Sequence, residues 1–121
     1  MKWYAAHIIE YFKFRDGVQD SYPFFENVVL IEAESCEEAW DKALKFGQDN
    51  ESDDESLTWN DRPAQLVFAG VRKVIAPSSD EEPERSPGHG TELTYSQMVI
   101  DKEEDFRQFL ENEPTHVRIE E

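Results

Sequence analysis

From Trp3 to Phe14 apolar and aromatic residues occupy both parities of the chain: Trp3, Ala5, His7, Ile9 and Tyr11 on one, Tyr4, Ala6, Ile8, Phe12 and Phe14 on the other. A run that is apolar on both sides predicts a strand covered on both faces, and hence a central one. Asp16-Gly17 opens a turn, and the polar stretch to Tyr22-Pro23 predicts a wide hairpin loop. Extended structure returns over Phe24 to Ala33, where Val28, Val29, Leu30 and Ile31 form a strong β-branched and aliphatic centre.

Ser35 followed by Glu38 is a capping box, which opens a helix by satisfying two of its free backbone N–H groups. Ala39, Trp40, Ala43, Leu44 and Gly47 then recur at helical spacing and predict one stripe against the sheet, with Gly47 as the residue that leaves the helix through positive φ. Residues 48–62 are acidic and read as a solvated, mobile loop. Ala64 to Ile75 is a third strand, with Gly70 marking a bulge or a close backbone approach, and Pro77 closes it. A second polar loop over 78–90 precedes a fourth strand over Thr91 to Ile100. Asp101 with Glu104 repeats the capping pattern for a short helix bearing Phe106, Phe109 and Leu110. Val117 and Ile119 alternate with charged neighbours in a last edge strand, Thr115 to Glu120. All six prolines fall outside these elements. The expected fold is α+β: a mostly antiparallel sheet of four to five strands, in the order β-β-α-β-β-α-β, with a helix packed on one face.

Composition narrows the function. The 121 residues fit one domain, 12% of them are aromatic, and 28 acids against 12 bases give a formal charge of −16. That balance argues against direct nucleic-acid binding and against docking on anionic lipid. A single cysteine, Cys36, points to a reducing compartment, and the N-terminal apolar stretch is too short for a signal segment or a membrane span. A cytoplasmic location is expected.

Several stretches carry a resemblance. Met1-Lys2-Trp3-Tyr4-Ala5-Ala6-His7, the Val28 to Ala33 strand running into Ser35-x-x-Glu38-Ala39, Phe68-Ala69-Gly70-Val71-Arg72, and the Gly90-Thr91-Glu92 turn together resemble the domain-of-unknown-function 4288 family. The resemblance implies a small, stand-alone bacterial domain. It brings no activity, cofactor or catalytic residue with it.

Candidate chemistry is thin. Asp49, Glu51 and Asp53 alternate as calcium ligands can, but an EF-hand needs glycine sixth and a bidentate acid twelfth, where Asp54 and Asn60 stand. His7, His89, His116 and Cys36 lie in separate elements without zinc-ligand spacing. Cys36 sits near a helix N-terminus, which lowers a thiol pKa, but Glu34, Glu37 and Glu38 oppose that. Pro87-Gly88-His89-Gly90-Thr91 lacks the Lys-Ser/Thr ending of a phosphate loop and leads into a strand, so it reads as a turn. No metal, no cofactor and no catalytic residue is assigned.

The aromatic surplus is the more informative feature. Trp3, Tyr4, Tyr11, Phe12 and Phe14 face Tyr22, Phe24 and Phe25 across the first loop, and two short helices cannot cover both faces of the sheet. The leading expectation is a non-enzymatic interaction module that self-associates or binds a protein partner through an aromatic sheet face. Trp3, His7, Tyr11, Trp59 and Arg72 are the candidate binding residues, with Arg72-Lys73 as the only adjacent basic pair. Two alternatives stand beside it. One is an acidic decoy occupying a basic nucleic-acid-binding protein; the other is a small-ligand binder or enzyme with its pocket between sheet and helix, built on His7, Trp59 or Arg72.

Overall fold

The structure, a computed structural model, describes residues 1–77 and 86–121. Strand β1 (Lys2–Phe14) is central: it pairs antiparallel with β2 (Phe24–Ala33) on one side and with β4 (Arg62–Ile75) on the other. Strand β3 (Thr58–Trp59) adds to β4, so the sheet order is β2-β1-β4-β3. Helix α1 (Cys36–Asp49) follows β2 and lies on one face. Beyond the sheet, β5 (Met98–Val99), helix α2 (Glu103–Leu110) and β6 (Arg118–Ile119) follow, and among the described residues β5 and β6 pair only with each other. The α+β expectation and the central place of the first strand are borne out.

The core explains the composition of α1. Ala39 and Ala43 are fully buried against Tyr4, Ala6, Ile31 and Ala33, with Val29, Val71 and Val74 at the margin. Small helix residues let the helix axis approach the sheet, so the large side chains of the strands fill the space between them. Ser35 caps α1 as expected, its hydroxyl accepting from the Glu38 N–H at 3.1 Å. A second cluster beyond the helix joins Phe12, Phe14 and Ala64 with Leu57 and Leu66. Arg62 lies over the Phe14 ring at 3.7 Å and donates to Asp16 and Asp20, which ties the β1–β2 loop to β4.

Several sequence expectations are corrected. Gly47 does not terminate α1, which runs on to Asp49 and is capped at Asn50 with φ −94°. Its lack of a side chain serves packing: a Cβ there would come within 2.3 Å of the Phe68 ring. Trp40, placed on the buried stripe, is 38% exposed. Part of the acidic 48–62 stretch is ordered as the end of α1 and as β3, joined to β4 by Asn60 and Asp61, both at positive φ. Trp59 pairs with Arg62 around them, the two-residue hairpin that left-handed Asn and Asp favour. Pro63 lies inside β4, opposite Thr58, near the start of the strand where a missing N–H is tolerated.

The fourth and last strands shrink to Met98–Val99 and Arg118–Ile119 and leave the main sheet. Thr91 to Gln97 runs instead across the sheet face opposite α1, held by side chains described below. Asp101 does not cap α2, whose N-cap is Lys102 without a side-chain bond; Asp101 accepts from Arg118 Nη1 at 3.3 Å instead. The expected loop over 78–90 falls partly on residues 78–85, outside the described residues. Gly70 does mark irregular pairing: the β1–β4 register shifts on either side of it, leaving Arg72 and Ala69 as the extra residues.

Candidate functional site

The face opposite α1 is where polar side chains meet. Strand pairing puts His7 and Lys73 side by side, and Ile9 beside Glu26, all on this face. The bulge at Arg72 turns its guanidinium toward the same place. His7 is 2% exposed, and its two ring nitrogens are both engaged: Nδ1 lies 2.6 Å from Glu26 Oε1, and Nε2 lies 2.5 Å from Thr94 Oγ1. Arg72 Nε donates to the same Glu26 oxygen at 2.6 Å, with Nη2 also on it.

Hydroxyl, imidazole and carboxylate in that order resemble the relay of an acyl-transfer site. Here the carboxylate is shared with a guanidinium, so its charge is divided between Arg72 and the imidazole. The arrangement fits a clamp that fastens the Thr94 segment to the sheet, and it satisfies a buried histidine that would otherwise cost stability.

Glu121 completes the cluster. Its Oε2 accepts from Arg72 Nη1 at 2.5 Å, and its Oε1 accepts from the Gln97 backbone N–H at 3.0 Å and lies 3.2 Å from Lys73 Nζ. The Lys73 ammonium also donates to the Tyr95 carbonyl and sits 4.0 Å from the Tyr95 ring centroid. These residues with Ile119 and Glu120 line a groove of ≈ 600 Å³ between sheet and hairpin.

Burial raises the Glu121 carboxyl, but Arg72, the Gln97 N–H and Lys73 outweigh it and hold the group down to about 2 from an ordinary 4.5. Above 4.5 free and docked forms are both ionised and the contact contributes in full. Between 4.5 and 2 only the undocked form takes up a proton, so docking weakens as pH falls, and below 2 the contribution is gone. The Gln97 amide resonance, followed by NMR, is therefore expected to inflect near pH 2; an inflection near 4.5 would mean that Glu121 is undocked.

The second surface is apolar. β2 is an edge strand, and on the face it shares with His7 it exposes Phe24 (59%), Val28 (43%) and Leu30 (42%), with Tyr22 beside them. Tyr11 and Ile9 of β1 are half-buried at its inner margin. Glu26 and Glu32 are the only charges on that face of β2.

Of the residues singled out in the sequence, His7 and Arg72 converge on Glu26. Trp3 lies on the same face and donates from Nε1 to Ser86 Oγ at 3.2 Å. Tyr11 stays by the apolar edge, 5.8 Å from the Tyr22 ring. Trp59 belongs elsewhere: it packs 5.3 Å from Phe12 on the helix side and joins neither surface. Sequence reasoning missed Glu26, Thr94, Gln97 and Glu121, because long-range strand pairing and a tail crossing the sheet bring them together. Glu26 alone left a trace, as the one acid breaking the apolar alternation of Phe24, Val28 and Leu30.

Among the described residues no helix is long and apolar enough to cross a membrane. No curated protein matches the chain, and no solved structure does. A family model does match, over residues 3–94, which takes in β1 to β4, α1 and the Thr94 clamp and stops short of the β5–α2–β6 tail. The chain therefore belongs to the domain of unknown function family DUF4288.

Proposed function

We propose that the chain is a non-enzymatic interaction module of the bacterial cytoplasm whose partner is a second copy of itself, joined edge to edge along β2. The observation that carries this reading is the row of Phe24, Val28 and Leu30 exposed on a strand that, among the described residues, is at the edge of the sheet. An edge that acts alone is usually blunted by lysine, proline or a bulge, and β2 has none of these between Phe24 and Ala33. A strand facing its own copy is self-complementary, which is what a two-fold interface requires. With the two-fold axis at Val28, Glu26 stands opposite Leu30 and Glu32 opposite Phe24, so no two carboxylates are directly opposed. Each apolar cross-strand pair adds roughly 0.2–1 kcal/mol to the backbone bonds the edge gains.

Charge works against the pairing. Each copy carries −16, so association strengthens with salt, as screening shortens the reach of the repulsion to about 10 Å at 0.1 M. Leu30→Lys places a cation in the centre of the proposed interface without touching the buried core. Sedimentation velocity is expected to show a dimer for the native chain and a monomer for Leu30→Lys, with unchanged circular dichroism. A native chain that sediments as a monomer at high concentration and high salt would overturn the reading.

A further inference from the structure

The tail beyond the family match is fastened in an unusual way. α2 buries no residue, and its Phe106, Phe109 and Leu110 are 50%, 39% and 64% exposed. Ile119 is 52% exposed, and β5 and β6 pair over two residues. The elements that pack broadly on one another are β1, β2, β3, β4 and α1. What holds β6 down is therefore its end: the Glu121 carboxylate on Arg72, Lys73 and the Gln97 N–H, together with the Glu120 N–H donating to the Gln97 carbonyl at 2.9 Å.

Those contacts describe a recognition site with its occupant in place. Gln97 takes the Glu120 N–H on its carbonyl, as a strand does with an added peptide, and gives its own N–H to the Glu121 carboxylate. Arg72 and Lys73 converge on one carboxylate, and Arg72 is oriented for it by Glu26 from behind. Ile119, Glu120 and Glu121 form one wall of the groove beside them.

We propose that the β5–Arg72–Lys73 groove is a binding site for an extended acidic peptide, and that residues 117–121 are its built-in occupant, displaceable by a peptide of the same chemistry supplied in trans. The chemistry required is an apolar residue at the Ile119 position, to lie against Met98, and a glutamate two positions later. The tethered occupant competes at an effective concentration of about millimolar, so the site takes an outside peptide well only when the tether's own carboxylate is weakened. The site shares Glu26 with β2 but does not rest on association along that edge.

The test uses the full chain and a fluorescein-labelled peptide of residues 115–121, read by anisotropy. Glu121→Gln is expected to bind the peptide at least about tenfold more tightly than the native chain, because the internal competitor has lost its charge. Adding Lys73→Met to that variant, or replacing the last glutamate of the peptide by glutamine, removes the gain. Glu121→Ala is a second release variant, and circular dichroism shows that each has kept the sheet. Equal binding by the native chain and both release variants, or binding by none, overturns the proposal.

Discussion

Truncating Phe12 to alanine lowers stability by about 3–5 kcal/mol, the usual range for an aromatic residue removed from a packed site. Phe12 is 6% exposed. Its ring meets Phe25 edge-on with centroids 5.6 Å apart and lies 5.3 Å from Trp59, while its cluster includes Phe14 and Ala64. Among the described residues that cluster includes none from α1. Against a total stability of about 5–15 kcal/mol the loss is a fifth or more, and urea melts of Phe12→Ala should show the midpoint falling with little change in slope. A shift smaller than that of an exposed substitution would mean that the far end of the sheet is loosely packed.

Glu10→Met is expected to act in the opposite sense. Glu10 is 1% exposed beneath the end of α1, and among the described residues its Oε1 accepts only from two side-chain amides, Asn50 at 3.2 Å and Asn27 at 3.4 Å. Its Oε2 is buried with no hydrogen-bond partner among the described residues. A buried carboxylate so poorly paired costs more in lost hydration than these contacts return. An unbranched apolar side chain of similar length removes that cost, and Asn27 and Asn50, both exposed, can turn their amides to water. The expected gain is about 1–4 kcal/mol, read as a higher midpoint in the same melts. A loss would show that the carboxylate is compensated in solution.

How much of this was legible in the sequence depends on where each signal lives. The first two strands and the start of α1 can be read almost to the residue, because apolar parity and a capping box are local. Gly47 misleads, since a glycine near a helix end is most simply a terminator; only the Phe68 ring, brought over from β4, reveals that a side chain would not fit there. Asn60-Asp61 is a hairpin signal hidden inside an acidic run, where the surrounding charges suggest a solvated loop. The tail misleads most. Thr91 to Ile100 has strand-like composition, but His7 holds the Thr94 hydroxyl and Lys73 holds the Tyr95 carbonyl and ring against the sheet face, leaving two residues to pair as β5. His7 and Arg72 stood out in the sequence separately. What joins them is Glu26, and its partnership follows from strand register, which periodicity does not set.

Association along β2 is tested most directly by amide hydrogen exchange across residues 24–33, measured at low and high protein concentration in the same salt. Pairing between copies hides the outward-facing N–H groups of β2, so their exchange should slow as concentration rises while β4 stays unchanged. Outward-facing amides of β2 that exchange equally fast at both concentrations would contradict the account.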